Sequence, residues 1–358
     1  MIKSKIQLSN TIMKKYIKNF KQTFLHPLKM QWYEIQIKRM GAWNLFLKQQ
    51  TNNENEIVLQ HYNSTNILHP DNSIIFMCNG FIWSGGLADR LRAIIAIYGW
   101  CKNNNRQFKI NFTTPFILQN YLVPRNYDWI PSNISYNKTE TVVKVCLLEP
   151  RTCNRPEIFP RLSELGQDWC NNNLNIQDKQ IHVFSNLFNL NENFSQLFNE
   201  LFKPCERIEK EINYHLSQIN GQYISISFRF TTLLGDFKDC TGKPLCDNEK
   251  ENLIKQSLLA IQKISEQAPA HDKILVTADS ITFLNRITGL PNIYVIPGKI
   301  GHIDYESGDD VNMKTFLDFF MISKAEAVYL AKGPGMYKSA FAKTASLVNN
   351  KPFKIYEY

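Results

Sequence analysis

Residues 73–112 read SIIFMCNGFIWSGGLADRLRAIIAIYGWCKNNNRQFKINF. The first part, SIIFMCNGF, predicts a buried strand, and the Gly85-Gly86 pair predicts a turn after it. Leu87, Leu91, Ile94, Ile95 and Tyr98 then recur at helical spacing and predict a helix over Ala88 to Cys101. FKINF (108–112) predicts a second strand. Strand, glycine turn, helix and strand make a βαβ unit, which implies parallel pairing.

The same alternation returns further on. ERIEKEINYHLSQI (206–219) carries Ile208, Ile212 and Leu216 on one face and predicts a helix that stops at Asn220-Gly221. QYISISF (222–228), KILVTA (273–278), NIYVI (292–296) and AVYLA (327–331) predict strands. Residues 249–266, 280–288, 313–323 and 336–349 predict the helices between and after them. VVKVC (142–146) and IHVF (181–184) add strands to the first unit. The expected fold class is α/β, with two Rossmann-like domains whose parallel sheets face a cleft. Residues 1–70 form a basic lead-in segment, 71–204 the N-terminal domain and 221–358 the C-terminal domain.

Composition bounds the function. The chain has 358 residues, 44% of them hydrophobic and 12% aromatic, which is globular rather than disordered. Its net charge of +9 is uneven. Residues 1–40 hold nine Lys and Arg against Glu34, so they carry +8 of it and leave the remainder near neutral. That argues against nucleic acid as a partner, because tracking phosphates needs a basic stripe across the fold. The basic arm, with Ile12, Met13, Ile17, Phe20, Phe24 and Leu25, suits peripheral contact with an anionic membrane; a solvated, partly helical lead-in is the plainer alternative. No run reaches the ~18 apolar residues of a membrane span. No apolar segment with a small-residue cleavage site follows the first lysines. The expected location is cytoplasmic, with any peripheral contact at the inner membrane face. The eight cysteines form no Cys-x-x-Cys pair and have no clustered histidines, so no metal site is expected. Cys240 and Cys246 would close a small loop only in an oxidising compartment.

In open parallel sheets, ligands bind beyond the carboxyl ends of the strands. Gly85, Gly86, Leu87, Ala88, Asp89 and Arg90 stand at the first such exit, either as a plain strand-to-helix turn or as a loop that approaches an anion. Arg229 follows the strand at 222–228 and suits bidentate phosphate binding, with an ion pair to Asp236 or Asp239 as the alternative. Asp279 and Ser280 follow the next strand and suit a ribose or base contact, or a helix cap. Gly333, Pro334, Gly335, Met336 and Tyr337 precede the last predicted helix, where free N–H groups and a positive helix end suit a pyrophosphate. Asp318 sits in an apolar run and needs a partner if it is buried. The loop with His302, Asp304, Asp309 and Asp310 offers acids or bases, or is simply solvated.

Together these residues resemble the GT-B fucosyltransferases that use GDP-fucose: the core α1,6, protein-O and nodulation types with their bacterial relatives. GGLADRL stands where that family has its glycine-rich loop before the first helix. Ser227-Phe228-Arg229 stands at the family's His-x-Arg. LDFFMISKAEAVYLAKGPGMYKSA has the spacing of the family's late Asp and the turn before its last helix. The match covers 73–101 and 222–345, and it departs at Ser227 and at Gly-Pro-Gly, where the family has histidine and serines. The resemblance implies an inverting, metal-independent transferase with no cofactor, which moves fucose from GDP-fucose to a glycan acceptor in surface polysaccharide or glycoconjugate synthesis. It implies Arg229 on the donor's β-phosphate, Asp89 and Arg90 beside the sugar and diphosphate, Asp318 on the base or ribose, and the turn after Gly333 on phosphate. Asp89 and Asp236 are the candidate general bases. The alternatives are a transferase using another nucleotide sugar and a catalytically inactive nucleotide- or sugar-binding protein.

Overall fold

A computed structural model describes residues 51–63, 71–83, 85–147, 162–186, 193–237, 242–302 and 308–358. The basic arm at 1–40, Asp239, Cys240 and Asp304 lie outside the described residues.

After helix α1 (Thr51–Leu59), the N-terminal part runs β1 (Ile74–Cys78), α2 (Leu87–Asn103), β2 (Phe108–Phe112), β3 (Leu122–Pro124), β4 (Thr141–Cys146), α3 (Leu162–Asn173), β5 (Gln180–Ser185), α4 (Phe194–Leu201), β6 (Phe202–Pro204) and α5 (Glu206–Ile219). The C-terminal part runs β7 (Tyr223–Phe228), α6 (Asp247–Gln267), β8 (Lys273–Ala278), α7 (Ile281–Ile287), β9 (Ile293–Tyr294), α8 (Asp309–Lys324), β10 (Val328–Lys332), α9 (Phe341–Val348) and β11 (Phe353–Glu357). One sheet has the order β2-β1-β5-β4 and the other β11-β10-β7-β8-β9. Every pair within both sheets is parallel. β3 and β6 form a separate antiparallel pair. β1, β2, β5 and β7 are buried along their whole length, as strands covered by helices on both faces must be.

The two halves share a core. Phe316 of α8 stacks on Tyr121 with ring centroids 4.9 Å apart and meets Phe116 edge-on at 5.5 Å. At the start of α8, Asp309 takes a two-pronged contact from Arg207 and a hydrogen bond of 2.7 Å from the Tyr121 hydroxyl. Ser195 and Asn199 of α4 both donate to the Val348 carbonyl at the end of α9. Asp309 is therefore a structural clamp and no free acid. No helix among the described residues is long and apolar enough to cross a membrane.

Several boundaries depart from the sequence reading. The last helix begins at Phe341, not near 336, because Gly333, Gly335 and the residues after them turn back on Arg229 before the chain can coil. β9 is cut to two residues at the sheet edge, and β11, α3 and α4 are additional elements; α4 buries Phe194, Leu197, Phe198 and Leu201, whose helical spacing the sequence reading passed over.

One buried polar network fixes an acid response. His182 on β5 bonds the Tyr62 hydroxyl at 2.5 Å and Gln180 at 2.8 Å, and burial pulls its pKa down to about 3 from 6.5. The unfolded chain thus takes up a proton that the folded one refuses. Stability is full above pH 6.5 and falls by about 1.4 kcal/mol per unit as pH drops from there toward about 3. In urea unfolding at pH 7 and pH 5, the paired change Tyr62→Phe with His182→Leu should flatten this difference; an unchanged slope would clear His182 of the effect.

Candidate functional site

Parallel strands carry their exits to one edge, so the candidate residues are best followed strand by strand. β7 ends at Phe228 and β8 at Ala278, its neighbour in the sheet. Arg229 and Asp279, the next residue of each, therefore meet. Arg229 Nη1 lies 3.2 Å from Asp279 Oδ2. The carboxylate also accepts the Phe230 and Thr231 N–H groups, each at 2.8 Å. Burial pushes the Asp279 carboxyl above the usual range, while Arg229 and the two N–H groups pull the other way. The guanidinium carbon sits 4.5 Å from the centre of the Phe237 ring. Arg229 is thus fixed on one side by charge and on another by a ring, with its side chain one-fifth exposed.

Asp279 faces Arg229, whereas Asp236, the partner expected for Arg229, is taken up elsewhere. Asp236 Oδ2 accepts the Ser280 hydroxyl at 2.8 Å and the Thr282 N–H at 2.7 Å. Ser280 in turn accepts the Phe283 N–H and caps α7. Ser227 is buried on β7 and its hydroxyl bonds Thr277 on β8 at 2.8 Å.

β10 lies on the other side of β7, and the Gly333–Tyr337 turn follows it. Gly333 has no room for a side chain, because a Cβ there would fall 2.8 Å from the Tyr358 ring. Gly335 has a φ of +73°. Three N–H groups of the turn are spent inside the protein: Gly333 on the Met336 sulfur, Met336 on the Gly333 carbonyl, Tyr337 on the Arg229 carbonyl. That corrects the expectation of free N–H groups at a helix start, since the helix begins four residues beyond Tyr337. Thr231, Leu233, Gly242 and Gly335–Lys338 line a half-open cavity of about 610 Å³. That volume suits a nucleotide-sized ligand. Pro334 is exposed beside it.

On the N-terminal sheet, Gly85 adopts a φ of +82° as the chain turns from β1 into α2, and Gly86 is the residue before the helix. Leu87 and Ala88 are buried in the core. Asp89 pairs with Arg92, one turn on, which also donates from Nε to the Ala88 carbonyl at 3.2 Å. Arg90 points the other way. It is 3% exposed and lies over the Phe112 ring. The cation beside Asp89 is therefore Arg92, a residue that helical spacing three positions on from Asp89 could have singled out. A Cβ on Gly85 would stand 3.1 Å from Asp89 Oδ2. Gly85→Ala should cost about 1–2 kcal/mol for the left-handed backbone alone and displace Asp89 from Arg92. Urea unfolding would show it, and an unshifted midpoint would contradict the strain.

Asp318 lies apart from this group. Its Oδ2 takes Lys314 Nζ at 2.5 Å, and both side chains are largely buried. Its other neighbour is His215 of α5, which bonds Tyr294 at 2.6 Å. Asp318 Oδ1 is buried without a hydrogen-bond partner. Two lysines that sequence reading passed over, Lys338 on the cavity wall and Lys343 in the first turn of α9, stand near the seam where α9 packs on α2.

No protein-family model matches the sequence, and no curated protein sequence does. The fold does match solved structures. NodZ alpha-1,6-fucosyltransferase from Bradyrhizobium, co-crystallised with GDP, aligns with a TM-score of 0.50 at 15% identity, over 78% of this chain and 93% of that one. Arabidopsis thaliana FUT1 in complex with GDP aligns with a TM-score of 0.50 at 11% identity, over 92% of this chain and 77% of that one. The chain has a GT-B, fucosyltransferase-like fold.

Proposed function

We propose that the protein is a metal-independent, inverting glycosyltransferase that takes its sugar from a nucleoside diphosphate sugar, GDP-fucose first, and passes it to a glycan acceptor. The observation that carries this is Arg229, held at the exit of the central strand by Asp279 and Phe237 beside a 610 Å³ cavity. In such a transfer an acceptor hydroxyl attacks the anomeric carbon from the face opposite the diphosphate. The bond from that carbon to the phosphate oxygen breaks, and its electron pair leaves with the diphosphate. A guanidinium already fixed in place stabilises that charge without reorganising during the step. A base must also take the hydroxyl proton. Asp236 is engaged in capping α7, so Asp89, two-fifths exposed beside Arg92, is the better base candidate. The resemblance assigns Asp318 to the base or ribose, and its buried Oδ1 is an acceptor without a donor, though it lies apart from the cavity.

A binding protein without turnover is the second reading, favoured by Ser227, whose hydroxyl is turned onto Thr277. Thermal shift with GDP, UDP, ADP and CMP, each with and without magnesium, separates the donors. A nucleotide at 100 times its Kd should add about 2.7 kcal/mol. Stabilisation by GDP without magnesium is the expected result, and a response to UDP or CMP instead would overturn the donor. GDP-fucose that binds but releases no GDP, alone or with glycan acceptors, would favour the second reading.

A further inference from the structure

Most cations around the cavity are already matched. Arg229 faces Asp279, Arg92 faces Asp89, Lys250 faces Asp247 and Lys332 faces Glu357. Lys338 and Lys343 differ. Among the described residues neither ammonium has a hydrogen-bond or ion-pair partner, a state they share with Lys243 beside Gly242. Lys338 is exposed on the cavity wall and Lys343 is half-buried one turn away. α9 packs on α2, which carries Arg92. Lys343 is pushed below the ordinary lysine range, by burial first and then by the charges of Arg92 and Lys338. A half-buried ammonium among like charges is costly unless an anion joins it. The adjoining turn offers little help, because its Gly333, Met336 and Tyr337 N–H groups are spent within the protein.

We propose that Lys338 and Lys343, backed by Arg92 of α2, seat the diphosphate of the donor and select nucleoside diphosphates over monophosphates. This rests on the nucleotide-sugar reading and names the residues that would hold the leaving group. An unmatched ammonium is free to take a phosphate oxygen, whereas Arg229 is already largely balanced by Asp279. The seat is complete only where α9 packs on α2, so it would hold the donor against both halves. The resemblance assigns neither lysine a role.

Calorimetric titration of the full chain at fixed ionic strength tests this with inorganic pyrophosphate, GDP and GMP. Wild type should bind pyrophosphate, and GDP at least ~10-fold tighter than GMP. A charge-assisted contact contributes about 1.5–3 kcal/mol, or roughly tenfold or more for each lysine. The double variant Lys338→Gln with Lys343→Gln should therefore lose pyrophosphate binding and bind GDP ~100-fold more weakly, close to GMP. It should fold, since it removes repulsion and no partner, and its unfolding midpoint checks that. Lys354→Gln on β11 loses the same charge away from the seam and should bind like wild type. A folded double variant that binds GDP within twofold of wild type overturns the assignment. Wild type that binds pyrophosphate but no nucleotide keeps the anion seat and removes the donor reading. Binding of neither removes both.

Discussion

Arg229→Ala is expected to lower turnover of GDP-fucose by about 10²–10³-fold, the usual effect of removing one preorganised charge from a developing anion. It should also abolish the stabilisation by GDP. The geometry adds a structural cost. Asp279 is buried and would be left with the Phe230 and Thr231 N–H groups alone. Breaking a buried pair from one side costs about 3–5 kcal/mol, and the partial exposure of Arg229 places this case at the lower end. Arg229→Lys separates the two effects. A lysine keeps the charge near Asp279 but cannot offer a planar fork to a phosphate. Its stability should approach wild type while turnover stays at least ~10-fold down. A lysine variant with full turnover would show that Arg229 serves the fold only.

Asp318→Ala should be the most destabilising of the site substitutions, by about 3–5 kcal/mol, because it strands the buried Lys314 ammonium. Adding Lys314→Met removes the stranded charge, and urea unfolding of the double variant should recover most of that loss. GDP affinity distinguishes support from recognition. If Asp318 Oδ1 accepts from the base, the double variant regains stability but not affinity. Recovery of both would make Asp318 purely structural. pH acts on Asp318 and Asp309 in opposite senses. Burial raises the Asp318 carboxyl, so its ionisation weighs against folding at neutral pH, and that weight lifts as pH falls through the raised value. The Arg207 contact lowers Asp309, which adds stability above its ordinary value of 3.8 and loses it as pH falls through the lowered one.

Much of the fold was legible because it rests on period and punctuation. IIFMC, FKINF, YISISF and KILVTA are short apolar runs bounded by polar or glycine turns, and all four are strands. α5 ends where Asn220 takes a left-handed conformation, as the Asn-Gly pair signals. Legibility failed at the edges. NIYVI reads as a full strand, yet only Ile293 and Tyr294 pair with β8, although β8 itself runs on to Ala278. Arg229 and Asp279 do follow their strands as expected, whereas the partner of Arg229 differs from the one its spacing suggests. Arg229 was matched with Asp236 or Asp239 by nearness in sequence, but Asp279 meets it because β7 and β8 are neighbours in register.

The sequence by itself determined most elements, their parallel pairing and which residues follow each strand, because these follow from local periodicity and from glycines that alone suit a tight turn. It also singled out Arg229, Gly85 and Gly333. Only the tertiary structure decided which charges are balanced. Pairing depends on which strand lies beside which and on how a helix is rotated about its axis. Those are set by packing across the whole core, where Arg90 turns inward over Phe112, Arg92 turns outward to Asp89, and Lys338 and Lys343 are left without a partner.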